Sequence, residues 1–169
     1  MSSELSRRNV LAAGGITLAA ALAAGDAHAD NHEEGGLKSE LLFNMTATLE
    51  TPQQVGKTHE GGRSIFYATG GQIDGPKVKG TVLPGGGDWF RMRDDGVGEL
   101  DVRATFKTHD DALVYTHYKG VLVPSTGYFR TTPRFETSAE QYQWLTKIVA
   151  VGVGKSTGGG VSYSVYQIL

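Results

Sequence analysis

Beyond position 40 this chain never sustains an apolar repeat of helical length. Its apolar residues alternate or cluster in runs of strand length, and the runs end at Gly, Pro, Asp or Asn. This is a strand-and-turn pattern: strand side chains change face at every residue, and glycine supplies the positive φ needed where strands reverse. The runs Leu41–Glu50, Arg63–Ile73, Lys77–Leu83, Trp89–Arg93, Gly98–Thr108, Ala112–Val123, Tyr128–Glu136, Lys147–Gly154 and Val161–Ile168 predict strands. Asp74-Gly75-Pro76, Asp94-Asp95-Gly96 and His109-Asp110-Asp111 are tight-turn strings between them. The exception is Ser138-Ala139-Glu140-Gln141, a Ser-x-x-Gln capping box that predicts one short helical turn over 138–145. About nine strands joined by short connections must hide their edges, and closing the sheet on itself does so completely. The expected fold class is all-β, a single small antiparallel β-barrel, with a two-sheet sandwich as the rival.

Three properties narrow the function classes. Cysteine is absent, so packing and hydrogen bonds hold the fold, and thiolate nucleophiles and thiolate metal sites are excluded. The net charge is −2 with both signs interspersed, which argues against a nucleic-acid surface. The first 29 residues read as an address rather than a fold. Ser6-Arg7-Arg8-Asn9-Val10-Leu11 resembles a twin-arginine export box, the stretch to Gly25 is mildly apolar and broken by Gly14 and Gly15, and Ala27-His28-Ala29 offers small residues for signal peptidase. That apolar stretch falls short of the roughly 18 strongly apolar residues of a stable membrane anchor. The expected organisation is a signal peptide over 1–29, a leader over 30–40 and one barrel domain over 41–169, exported to the periplasm by the twin-arginine machinery.

Four strings carry a resemblance: GGQIDGPKVKG (Gly70–Gly80), LPGGGDW (Leu83–Trp89), ELDVR (Glu99–Arg103) and YFRTTPRFET (Tyr128–Thr137). In order and wording they are similar to a bacterial and fungal family known as domain of unknown function 3237, also uncharacterised protein family 0311. The resemblance runs from about Leu42 to the C-terminus. It implies a small barrel related to the allene oxide cyclase type, and it names no reaction. Two departures from the family pattern stand out: Thr146-Lys147-Ile148-Val149 replaces an Asn-led string, and His109-Asp110-Asp111 replaces a simpler Asp-Gly turn.

A barrel of about eight strands can hold one small ligand, so the facing of each strand decides what that ligand meets. One face of Glu99–Lys107 carries Glu99, Asp101, Arg103, Thr105 and Lys107, the other Leu100, Val102, Ala104 and Phe106. Likewise Tyr128, Arg130, Thr132, Arg134 and Glu136 alternate with Phe129, Thr131, Pro133 and Phe135. Periodicity leaves two arrangements open: the charges line the lumen as a coupled acid and base cluster, or they pair across strands on a solvated outer face. The resemblance favours the lumen for Asp101, Arg103, Arg130 and Arg134, because the family's strings hold these residues. In that arrangement Asp101 or Glu136 shuttles a proton, and Arg103, Arg130 and Arg134 stabilise an anion. Asp88, Trp89, Glu99, Tyr128, Thr132, Tyr142 and Trp144 are the candidate ligand contacts, the aromatics being equally suited to a core.

Other motifs carry less. Gly152-Val153-Gly154-Lys155-Ser156-Thr157 lacks the first glycine of a phosphate loop and reads as a hairpin. Gly85-Gly86-Gly87 reads as a flexible turn into Asp88-Trp89. Cleavage before Asp30 would leave Asp30-Asn31-His32, where the terminal amine, two amides and His32 match the square plane preferred by Cu(II) and Ni(II). This resembles the amino-terminal copper and nickel motif of serum albumins, although a chance histidine accounts for it as well.

Three functions are compatible with these residues: a cofactor-free isomerase, cyclase or lyase acting on a small carbonyl-bearing or aromatic compound, a periplasmic binding protein for a small organic ligand, and a structural module that forms a homo-oligomer. The export expectation is directly testable. N-terminal sequencing of the protein recovered from the periplasm of its source should begin at Asp30, and replacing Arg7 and Arg8 by Lys should retain the uncleaved chain in the cytoplasm.

Overall fold

The computed structural model describes residues 36–169. The expected signal peptide, most of the leader and His32 lie outside the described residues. Among the described residues 64% lie in strands. In order the elements are β1 (Ser39–Leu49), β2 (Gln53–Thr58), β3 (Gly61–Asp74), β4 (Gly80–Val82), β5 (Gly87–Met92), β6 (Gly98–Thr108), β7 (Leu113–Val123), β8 (Tyr128–Thr131), β9 (Arg134–Glu136), a 3-10 helix (Glu140–Lys147), β10 (Ala150–Thr157) and β11 (Gly160–Ile168). Every pairing is antiparallel.

Eight of these strands close into a barrel. Its wall runs β1, β3, β5, β6, β7, β8, β10, β11 and back to β1, while β4 bridges β3 and β6 beside β5, β9 pairs β7 beside β8, and β2 pairs one end of β3. The closing seam joins the first and last of the described strands, with Ser39 opposite Ile168 and Thr48 opposite Gly160. The expected single strand over 128–136 is cut in two at Thr132-Pro133, since proline has no N–H to donate to a ladder. β2 was not expected: Gln53–Thr58 is almost wholly exposed and shows no apolar alternation. The strand expected from Lys147 begins at Ala150, because Lys147 ends the helix.

The barrel is filled in one half and hollow in the other. Phe43, Phe106 and Phe135 pack with ring centroids 5.9 to 6.4 Å apart, in tilted and edge-on contacts. Leu42, Val78 and Val114 are fully buried around them. The 3-10 helix covers this half, burying Tyr142 and Leu145. Its expected capping box does not form. Ala139 takes the cap position without a side-chain bond from Ser138, its N–H donates to Thr137 Oγ1 at 3.1 Å, and Gln141 reaches Asp110 instead.

Asp110, in the β6–β7 turn, ties the helix to the barrel. Its carboxylate accepts hydrogen bonds from Thr108 Oγ1 at 2.5 Å, Tyr142 Oη at 2.9 Å and Gln141 Nε2 at 3.2 Å. The Thr108 and Gln141 donors lead in holding its pKa down from 3.8 to about 2. Since the folded-state value is depressed, this contribution to stability is complete above the unfolded carboxyl value and is lost as pH falls from about 4 to about 2. Denaturant midpoints measured from pH 7 down to pH 2 should therefore fall less steeply for Asp110→Asn than for the natural chain, with the two curves converging at the acid end.

Candidate functional site

The hollow half is a cavity of about 470 Å³, open at one end between the β1–β2 connection and the β10–β11 hairpin. Its wall is mostly apolar: Phe66 from β3, Phe90 from β5, Leu100 and Val102 from β6 and Phe129 from β8. Tyr118 of β7 and Tyr163 of β11 line both this cavity and a sliver of space in the filled half, so they form its floor. Around the mouth stand Glu50, Thr51, Ser156 and Thr157, with Gly158 and Gly159 at the hairpin tip. Among the described residues, Asp88 is the only acid that lines the cavity between mouth and floor.

Local sequence explains how an aspartate comes to sit there. Gly85 has φ of +97°, and Gly86 and Gly87 then run against neighbouring backbone. A Cβ on Gly86 would lie 2.7 Å from the Arg103 carbonyl oxygen, and one on Gly87 would lie 2.7 Å from that of Phe66. The triple glycine is thus a close-packed entry into β5 rather than a loose turn. It brings Asp88 and Phe90 to the inner face, and Trp89 and Arg91 to the outer one.

The ladder between β5 and β6 is interrupted at this point. Asp88 pairs with Val102 and Arg91 with Glu99, but no rung joins Trp89 to Asp101. Two side chains take the freed backbone groups. The Asp101 N–H donates to Asp88 Oδ1 at 2.9 Å, and Arg63 Nη1 donates to the Trp89 carbonyl at 2.5 Å. Asp88 is therefore fixed by a main-chain donor in the barrel wall and presents its carboxyl to the cavity.

Burial is the largest influence on that carboxyl, and it raises the pKa from 3.8 to about 6. The Asp101 N–H opposes the rise, the Asp101 carboxylate adds to it, and Arg63 and Lys119 pull the other way. Burial also pushes the hydroxyls of Tyr118 and Tyr163 well above the ordinary tyrosine value. Their rings meet edge-on at 5.9 Å, and both hydroxyls feel the charge on Asp88. At neutral pH the floor is consequently two neutral hydroxyls beside one carboxylate that gains a proton just below neutrality.

The charged strands lie the other way round from the lumen expectation. Leu100, Val102 and Phe106 face inward and are buried, so Glu99, Asp101, Arg103 and Lys107 face outward. The reason is energetic. Burying each large apolar side chain contributes about 1.5–3 kcal/mol, whereas taking an ion out of water costs several. The expectation that Asp101, Arg103, Arg130 and Arg134 line the lumen is corrected for all four. Asp101 pairs outside with Lys119 at 2.7 Å and Arg103 at 3.4 Å. Glu99 binds Arg91 with a contact at 2.9 Å. Arg130 stacks on the Tyr128 ring at 4.8 Å, and Arg134 and Glu136 are exposed on β9, Glu136 lying 3.9 Å from His117. Thr132 is exposed as well.

The aromatics divide similarly. Trp89 stands on the outer face, edge-on to Tyr67 and under Arg103 at 5.0 Å. Tyr142 and Trp144 belong to the helix over the filled half, the latter packed against the core with Lys77 above its ring at 5.7 Å. Of the candidate site residues among the described ones, Asp88 alone reaches the cavity. Tyr118 and Tyr163 were missed. The available signal was register: each shares a strand face with buried neighbours, Tyr118 with Val114 and Thr116, Tyr163 with Val165.

Comparison with known proteins places this arrangement. The family model described as protein of unknown function (DUF3237) matches residues 37–168. The chain belongs to the DUF3237 family. It is 32% identical over 149 residues to a UPF0311 protein of Rhodopseudomonas palustris, an alignment covering 79% of this chain and 97% of that one. Among solved structures it is similar to a conserved protein of unknown function from R. palustris, with a TM-score of 0.75 at 32% identity over 79% of this chain and 99% of the other. It is also similar to a beta-barrel like protein from Acinetobacter baumannii, with a TM-score of 0.75 at 30% identity over 82% and 99%. The chain thus shares its barrel with these solved structures, and the string LPGGGDW, one of those that carried the resemblance, delivers Asp88 to the cavity.

The close approach at Gly87 makes a prediction for this DUF3237 chain. Gly87→Ala must move backbone against backbone and should lower unfolding stability by about 1–3 kcal/mol through that contact, while Gly85→Ala, whose Cβ meets nothing, should cost about 1–2 kcal/mol through its φ of +97° alone. Urea melts of the two variants give the comparison.

Proposed function

We propose that the cavity binds a small, largely apolar organic molecule and that Asp88 transfers a proton to and from it, making the protein a cofactor-free acid–base catalyst of the isomerase, cyclase or lyase type. The observation that carries this reading is the placement of Asp88. A single carboxyl, held by a main-chain donor and titrating near 6, projects into an apolar cavity of about 470 Å³. A general base works best when its pKa lies near the working pH, and enzymes raise carboxylates to such values by burial.

The chemistry follows from the neighbours. Among the described residues the lining holds no Lys, Arg or His, so an anionic substrate would meet carboxylates, hydroxyls and apolar side chains with no cation to pair with. A ketone fits better. With its α-carbon beside Asp88, the carboxylate takes the α-proton, the C–H pair moves into the new C=C bond, and the carbonyl π pair moves to oxygen. Tyr118 or Tyr163, kept neutral by burial, then donates a hydrogen bond to that oxygen. Return of the proton from Asp88 to the same or another carbon completes exchange or isomerisation. The step uses no redox group.

The twin-arginine expectation fits this proposal, since a folded barrel would act outside the cytoplasm.

A simple ketone tests the reading. Incubated with 2-tetralone in D₂O, the protein should catalyse exchange of the α-protons, followed by NMR, with a rate that rises with pH and levels off above about 6. Asp88→Asn should lower the rate by about 10²–10⁴-fold. Because folding with a buried carboxylate is disfavoured above its raised pKa, the same variant should melt at a higher temperature than the natural chain at pH 7.5, and the gain should shrink below pH 5. Saturable binding of 2-tetralone with no exchange above the Asp88→Asn background would reduce the role of the cavity to binding alone.

A further inference from the structure

The interrupted rung has an outer side as well as an inner one. Opposite Asp88, across the wall, lies an open groove of about 420 Å³ lined by Arg63, Trp89, Arg91, Glu99, Asp101 and Lys119. Leu100 lines both the groove and the cavity, so at this point the wall is one residue thick. In an unbroken antiparallel ladder the Asp101 N–H and the Trp89 carbonyl would be partners. Here each has been given to a side chain from a different direction: Asp88 from inside, Arg63 from β3 outside.

We propose that Arg63 is the positioning residue of Asp88. By taking the Trp89 carbonyl it leaves the Asp101 N–H free for Asp88, and it thereby sets both the orientation of the carboxyl and the ease with which it holds a proton. Were Arg63 absent, the Trp89 carbonyl would sit within the wall without a protein donor, and re-forming the rung with Asp101 would be the nearest way to satisfy it. That would strip Asp88 of its only hydrogen-bond donor from the main chain.

The groups acting on Asp88 come from every element around it. Asp101 on β6 opposes ionisation, Arg63 on β3 and Lys119 on β7 favour it, and Tyr118 on β7 and Tyr163 on β11 face it as neutral hydroxyls. Arg91 lies in the same groove and carries the same charge, but it is bound to Glu99 and Glu60 and touches neither freed backbone group. It is the natural control. Removing Arg63 deletes both a cation and, through the rung, a main-chain donor, and both losses raise the Asp88 midpoint.

The test is a ¹³C NMR titration of the Asp88 carboxyl, assigned by its disappearance in Asp88→Asn. In Arg63→Gln the midpoint should rise by about half a unit or more, in Arg63→Lys by less, and in Arg91→Gln by neither amount. The Asp101 amide should also exchange with solvent at a different rate in Arg63→Gln, reporting the rearranged rung. A midpoint unchanged in both folded Arg63 variants overturns the proposal, as does an equal shift in Arg91→Gln, which would make the effect one of groove charge alone. The activity arm rests on the proton-transfer reading: the pH profile of 2-tetralone exchange should move with the midpoint. If the midpoint moves in Arg63→Gln while the natural protein shows no exchange, the positioning role stands and the catalytic reading fails.

Discussion

Everything in this molecule depends on the seam between its first and last strands. Pairing of Ser39–Thr48 with Gly160–Ile168 turns a meander into a closed wall, and only a closed wall has an inside. The seam joins residues more than a hundred positions apart, so its loop-closure entropy must be met by the hydrogen bonds of the whole ladder and by the apolar faces it encloses. Once closed, the sheet has no long free edge, which removes the hazard that a chain so rich in strands would otherwise carry. The short strands β2, β4 and β9 are additions to this wall, not parts of its circuit.

Closure then forces a choice of face on every strand. Taking a set of ion pairs out of bulk water would cost several kcal/mol per ion, whereas burying the large apolar side chains of β6, β8 and β9 is favourable, and those are the side chains found inside. The charges consequently form cross-strand pairs outside, in solvent, where each contributes little and costs little. The same physics makes Asp88 conspicuous. It is an acid that the fold keeps on the inner side, with a main-chain hydrogen bond on one oxygen and two tyrosines nearby, at the cost of a broken rung in the wall. A carboxyl placed for stability alone would face outward with its neighbours on β6.

Much of the fold was legible in the chain. Alternation marked most of the strands, the Asp- and Gly-bearing strings marked reversals, and the count of short strands favoured a closed sheet. The failures have local causes. β2 has no apolar face because it pairs edge to edge with one end of β3 and stays almost wholly exposed, and Pro133 divides a run that alternates correctly on both sides of it. Ser138 looked like a cap, but Asp110 from a distant turn competes for Gln141 and the helix starts without the box. The site was half legible. The string Leu83–Trp89 contains both the glycines that permit the close approach and the aspartate they deliver, whereas the alternating charges of Glu99–Lys107 and Tyr128–Glu136 drew attention to the wrong side of the wall.

The sequence by itself determined the alternation of faces, the turns, the absence of thiol chemistry and the glycine-led entry of Asp88, because each depends on residues close together in the chain. Only the tertiary structure decided which face is inside. Alternation is symmetric between lumen and solvent, and the symmetry is broken only when all eight strands close together and the summed burial of their apolar faces outweighs any arrangement that would take the ion pairs out of water.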